Sequence, residues 1–251
     1  SLKFFNKQEK SDEKFYDYVV TAGNYPKKNF SHIGKKHIDT ISRDFQIYKI
    51  IRLKNNKFQK KNYILYCDDA FGNHPDEKLS TNKNYYYEKN IKKFYEELDN
   101  FFLKLEKHFN LKVLIAAHPK RNSFKDKIFS NREYYVNQTC ELTLNAKFLI
   151  GTISTSMIYG VMTKKPIIII SSKNIKDQSY RNGIFKWAKD LETKAIDISK
   201  DNLQTEELIK LSKLKNNLAY KRIYDEFICN FSEDVNSIWD KILNELNNQN
   251  V

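Results

Sequence analysis

The sequence predicts an α/β protein: a parallel sheet with helices on both faces, followed by closing C-terminal helices. Three observations predict it. Short apolar runs alternate with segments of helical period from residue 63 onward, the pattern of parallel strands joined by crossover helices. Polar clusters follow three of those runs, namely Asp68-Asp69, His118-Pro119-Lys120-Arg121 and Thr152 to Ser156, and ligands of open α/β sheets meet the carboxyl ends of the strands. The 251 residues are 40% hydrophobic and 14% aromatic, enough for a sizeable core.

Taken in order, Tyr16 to Gly23 reads as a strand running into a glycine turn. Asn24 to Lys36 reads as loop. Ile41, Phe45, Tyr48 and Ile51 recur at helical spacing and predict a short amphipathic helix ending near Leu53. Residues 54–62 are rich in lysine and asparagine and read as a linker. The expected domains are therefore 1–61, a reduced or remnant N-terminal lobe with its linker, and 62–251, the main α/β domain. Tyr63 to Cys67 is the next strand. Ile91, Phe94, Leu98, Phe101, Leu105 and Phe109 step by three and four, so Tyr85 to Phe109 forms one long helix with an apolar face. Further strands are expected at 111–117, 133–136, 147–151, 167–170 and 194–198, and helices at 139–145, 157–162 and 180–191. Closing helices are expected at 205–229 and 235–246.

A net charge of +13 implies an anionic partner: a nucleotide, an anionic lipid surface or nucleic acid. The lysines are scattered, and no RNP, helix-turn-helix or zinc signature is present, which argues against nucleic acid. Cys67, Cys140 and Cys229 make no CxxC pair and no zinc pattern, so no metal is indicated and a reduced, cytoplasmic setting is expected. No apolar run approaches the roughly 20 residues of a membrane span. The charge instead fits peripheral contact at the anionic inner face of a membrane.

The three strand-end clusters belong together, because a parallel sheet brings them to one edge. Thr152, Ser154, Thr155 and Ser156 surround the start of the helix at 157–162, where hydroxyls either cap the helix or seat a phosphate. Two adjacent carboxylates raise one another's pKa, so Asp68 or Asp69 is either a general base or an ordinary turn pair. Pro119 forces an extended exit after His118, which favours an outward imidazole. Lys120 and Arg121 either pair with phosphate or form a solvated basic loop. His74-Pro75-Asp76 reads as a turn.

The acidic pair, His118-Pro119 after one strand and Ser154-Thr155-Ser156 after a later one resemble the acidic, HP and serine-rich motifs of bacterial sialyltransferases and Kdo transferases of the GT-B kind. The resemblance covers about residues 62 to 172. It implies a Rossmann-like nucleotide-sugar-binding lobe in an enzyme of capsule, lipopolysaccharide or other surface glycan synthesis. It further implies a base at Asp69 or Asp68 for the acceptor hydroxyl, and phosphate contacts from His118 and the serines. The implied partners are a nucleotide sugar, CMP-linked, and a glycan or lipid-linked glycan acceptor, with no metal cofactor. Three departures stand out. The acidic motif of the sialyltransferases belongs to the first domain, whereas here it begins the second. Ala70 follows the acidic pair where the motif has glycine. Tyr159 stands near the position of a ribose-binding glutamate, for which Glu141 on the preceding helix is a substitute. The alternatives are a non-catalytic binding or scaffold module of the same fold and a UDP-sugar epimerase-like enzyme.

Overall fold

A computed structural model describes residues 16–30, 32–54, 62–75, 85–200, 205–214, 216–230 and 237–248. The chain divides into two compact units, Ser1–Gln46 with Arg222–Val251, and Ile47–Lys221.

The first unit carries β1 (Tyr16–Ala22), α1 (Asn24–Phe30), β2 (Gly34–Thr40) and the start of α2 (Arg43–Leu53). β1 and β2 pair in parallel. The sequence reading of 24–36 as loop is corrected here. α1 has no apolar stripe to announce it, and β2 places two lysines on its exposed positions, so neither shows the expected period. Gly23 turns the chain at φ +72°, and a Cβ there would lie 2.4 Å from the Glu226 carbonyl oxygen. The C-terminal segment returns to this unit. Ser42 N–H donates to the Ile228 carbonyl at 2.9 Å, Lys28 pairs with Glu226 at 2.7 Å, and Phe45 meets the Tyr224 ring edge to face. That return puts the closing residues with the first unit rather than with 62–221. The linker expected at 54–62 lies outside the described residues except at its ends.

The second unit is built on β3 (Tyr63–Cys67). Ile64, Leu65, Tyr66 and Cys67 have no exposed surface, as befits a strand covered on both faces. α3 (Tyr85–Phe109) crosses over to β4 (Val113–Ala117), which pairs with β3 in parallel. Phe94, Leu98, Phe101, Phe102 and Leu105 of α3 are buried, each contributing about 1.5–3 kcal/mol of apolar transfer. Arg132 fastens this helix by pairing with Asp99 at 2.5 Å and Glu106 at 2.9 Å, its guanidinium over the Phe102 ring.

The chain continues through α4 (Lys127–Ser130), β5 (Tyr134–Val136), α5 (Thr139–Asn145) and β6 (Ala146–Gly151). A 3-10 turn at Thr155–Met157 leads into α6 (Ile158–Met162), then β7 (Ile167–Ser171), α7 (Gln178–Asp190) and β8 (Ile196–Asp197). The sheet is six-stranded, in the order β5-β4-β3-β6-β7-β8, and every pairing is parallel. The single helix expected at 205–229 is two, α8 (Thr205–Leu211) and α9 (Asn217–Phe227). α10 (Ile238–Asn247) follows, capped by Ser237, whose hydroxyl accepts from the Trp239 and Asp240 N–H groups. No helix among the described residues is long and apolar enough to cross a membrane.

Candidate functional site

The strand order reverses at β3. From it the chain fills β4 and β5 on one side and β6, β7 and β8 on the other. The crevice at such a reversal is where open α/β sheets hold ligands. Asp68 and Asp69 leave β3 at this place. Successive residues of extended chain point opposite ways, and the two carboxylates diverge accordingly, Asp68 toward the loop after β4 and Asp69 toward the loop after β6.

Asp68 is buried and fully committed. Oδ1 accepts from Arg121 Nη2 at 2.7 Å and from the Ala70 N–H at 3.1 Å; Oδ2 accepts from Arg121 Nε at 2.9 Å and from the His118 N–H at 3.0 Å. Arg121 lies between the rings of Tyr95 and Phe129 and also donates to Asp126 at 3.1 Å and to the Tyr95 hydroxyl. Burial works against its charge, but Asp68 and Tyr95 outweigh that and hold its pKa above the usual guanidinium value. Neither residue takes the part the sequence offered it. Asp68 has no oxygen left for an acceptor proton, and Arg121 is no solvated or phosphate-facing cation. Together they fix the backbone of the loop that carries His118. Ala70, at the motif's glycine position, adopts φ +57°, the left-handed conformation that glycine takes without steric cost.

Asp69 is only part-buried, and its Oδ2 is the acceptor of the site. The Thr152 and Tyr180 hydroxyls both donate to it in short hydrogen bonds, and the Ile153 N–H approaches at 3.4 Å. Burial and then the Asp68 charge push its carboxyl above the usual carboxylate range, while the two hydroxyls pull the other way. Thr152 is fully buried, with its hydroxyl also 2.9 Å from that of Tyr180. The hydroxyl expected at a nucleotide is thus engaged within the site by Asp69 and Tyr180.

His118 follows β4 and is half-buried. Its Nδ1 accepts from the Lys120 N–H at 3.2 Å, which leaves the ring proton on Nε2 in the neutral form. Burial first, then neighbouring His74, lower its pKa; Asp68 and Asp69 oppose this. The two imidazoles meet edge to face with centroids 4.9 Å apart. Lys120 is exposed beside them.

Ser154 stands at the start of the 3-10 turn but makes no side-chain cap. Its hydroxyl lies 2.7 Å from that of Ser156, so the plain capping role is not the one it plays. Thr155 between them is exposed. Ser156 also reaches the buried Cys67 thiol, which burial pushes up to about 12. With only five residues in α6, hydroxyls rather than a helix dipole are what this turn offers. Glu141 lies in the first turn of α5, which starts where β5 ends and so at the same sheet edge. Tyr159 is buried on α6. Among the described residues no group of three or more His, Cys, Asp and Glu side chains is placed to hold a metal ion.

The sequence reading did not single out Tyr180 or Tyr95. Tyr180 sits at the start of α7, 111 residues from Asp69, with Asp177 capping the helix by accepting from its N–H at 2.7 Å and Phe71 against its ring. Topology held a signal: a helix that follows a parallel strand begins at the ligand edge.

No protein-family model matches the chain, and no curated protein does. Solved structures do. The wall teichoic acid polymerase TagF is similar at 17% identity with a TM-score of 0.51, over 93% of this chain and 59% of that one. A histidine-to-asparagine variant of TagF soaked with CDPG gives 18% identity and a TM-score of 0.51, over 94% and 59%. The chain thus spans 59% of the polymerase chains it matches. At this identity the likeness is one of fold: the sheet of the second unit is a Rossmann-like lobe of the GT-B type.

Proposed function

We propose that the chain carries the donor-binding lobe of a glycosyltransferase of bacterial surface-polymer synthesis, taking a nucleotide-activated donor. One arrangement supports this reading: three adjoining strands, β4, β3 and β6, end in an imidazole, a carboxylate of raised pKa and a paired-hydroxyl turn. Transfer from a nucleotide needs the leaving phosphate stabilised and the acceptor hydroxyl deprotonated. His118 donates to the phosphate through Nε2, with Ser154, Thr155, Ser156 and Lys120 completing its seat and Glu141 serving the nucleoside. Asp69 is the base, and Thr152 and Tyr180 aim it. The finer choices, a CMP-linked sugar and a capsule or lipopolysaccharide product, rest on the motif resemblance. The fold likeness to a teichoic acid polymerase, one structure of which was soaked with CDPG, adds that molecule as a donor to try. A glycan or lipid-linked acceptor and contact with an anionic membrane complete the proposal.

Calorimetric titration with CMP, CDPG, UDP, GDP and a short RNA tests it. Cytidine compounds should bind best, and Ser154→Ala with Thr155→Ala should weaken them by about 1.5–3 kcal/mol per lost charge-assisted hydrogen bond without lowering the melting temperature. Preference for RNA, or no nucleotide binding, would end this reading. Nucleotide binding without turnover on any acceptor would leave a binding module.

A further inference from the structure

We propose that His74 and His118 form a two-imidazole seat for one phosphate group, with His118 as its neutral, tautomer-fixed donor and His74 as an unassigned second ligand. This rests on the reading of the strand-end edge as a phosphate site, though not on the nucleotide. Two loops are tied so that the rings must meet. The loop after β3 folds back through the Asn73 N–H to the Ala70 carbonyl at 2.7 Å. Its Gly72 has φ +70°, and a Cβ there would lie 2.3 Å from the Ile91 side chain. The loop after β4 reaches across and donates from the Asn122 N–H to the Asn73 carbonyl at 3.1 Å. His74 follows Asn73 directly, and its ring centroid stands 4.9 Å from that of His118.

The tautomer decides what kind of ligand fits. The Lys120 N–H occupies the lone pair of His118 Nδ1, so Nε2 keeps its proton. A protonated ring nitrogen cannot ligate a metal ion, whereas it donates to an anion. Two adjacent imidazoles also resist carrying two protons. Among the described residues, the charged groups that act on His118 are Asp68 and Asp69 on the loop of His74 and Arg121 on its own loop, with Lys120 exposed on that loop. Asp68 and Arg121 neutralise each other, and Asp69 is engaged by Thr152 and Tyr180. An incoming phosphate brings negative charge to the His118 ring, whose pKa burial and then His74 lower, so binding should raise that pKa and strengthen as the pH falls toward the histidine range.

Nitrogen-15 NMR of the ring nitrogens in the full chain tests this, with inorganic phosphate and pyrophosphate as probes. The free protein should show His118 as the Nε2–H tautomer. Either probe should shift the signals of both rings and raise the pKa of His118. His74→Asn and His74→Gln should each weaken pyrophosphate by about tenfold or more. Unchanged pyrophosphate affinity in both variants would overturn the proposal, as would rings that respond to zinc and not to phosphate. The wild-type titration needs no variant to fold. Should pyrophosphate move both rings while no nucleotide binds, the two-imidazole seat stands and the nucleotide-donor reading falls.

Discussion

Arg121 closes on Asp68 through two parallel bonds, Nε to Oδ2 at 2.9 Å and Nη2 to Oδ1 at 2.7 Å, with both side chains withdrawn from solvent. The same carboxylate holds the His118 N–H and the Ala70 N–H. One ion pair therefore sets the geometry of two loops. Removing one member leaves the other charged, buried and unpaired, which costs about 3–5 kcal/mol. Arg121→Met and Asp68→Asn should each lower stability by about that amount in urea titration. The double variant should lose less than the sum, because the second change removes an already orphaned charge. Additive losses would show that the two do not act as a pair.

Asp69 should behave in the opposite sense. Its folded pKa is raised from the ordinary 3.8 by burial and by Asp68, so the folded state binds its proton more tightly than the unfolded chain. The protonated form then adds stability, fully present below the unfolded value and lost as the pH rises through the folded one. Asp69→Asn removes that dependence. Relative to wild type, the variant should gain stability as the pH climbs from below the unfolded carboxylate pKa toward neutrality. Melting curves of both proteins over that range decide it; a constant difference would mean an unshifted carboxylate.

Much of this was legible in the residues. The apolar steps of Ile91 to Phe109 marked α3 because one face of a long helix must repeat every three to four residues. The strand-end rule brought Asp69, His118 and Ser154 to one edge because parallel strands share a direction. What escaped has physical reasons. β2 buries Gly34, Ile38 and Thr40 and exposes Lys35 and Lys36, so it offers too few apolar residues to alternate. Arg121 read as a loop cation because its cage comes from Tyr95 and Phe129, whose approach no local pattern records. The different fates of Asp68 and Asp69 follow from which neighbouring strand each faces, and that is fixed only by the sheet order.

Gly151 ends β6 beneath the hydroxyl turn. A Cβ there would lie 2.4 Å from Met157 Sδ and 3.1 Å from its Cγ, and Met157 is fully buried. Gly151→Ala should overpack the site by about 1–3 kcal/mol and shift the turn that carries Ser154 and Ser156. Combining it with Met157→Ala makes room for the new methyl. Urea titrations of the two single variants and the double should show a coupling of at least about 0.5 kcal/mol in favour of the double. Strict additivity would show that Met157 yields without strain.

Tyr180 offers the most direct probe of the site's electrostatics. Its hydroxyl donates to Asp69 Oδ2 and meets that of Thr152, while its ring rests on Phe71 with centroids 4.6 Å apart. Tyr180→Phe keeps the ring contact and removes the donor. The hydrogen bond from Tyr180 lowers the Asp69 pKa against the larger upward push of burial, so its loss should raise that pKa further. Carboxyl carbon-13 NMR should show Asp69 titrating at higher pH in the variant, and stability near neutral pH should fall in step with that rise. If Asp69 is the base, the acid limb of the pH–rate profile should move upward by the same interval, since a protonated carboxylate accepts no proton from the acceptor. A shifted titration with an unmoved acid limb would take the base role from Asp69. An unmoved titration would mean that the Tyr180 hydroxyl does not act on the carboxylate.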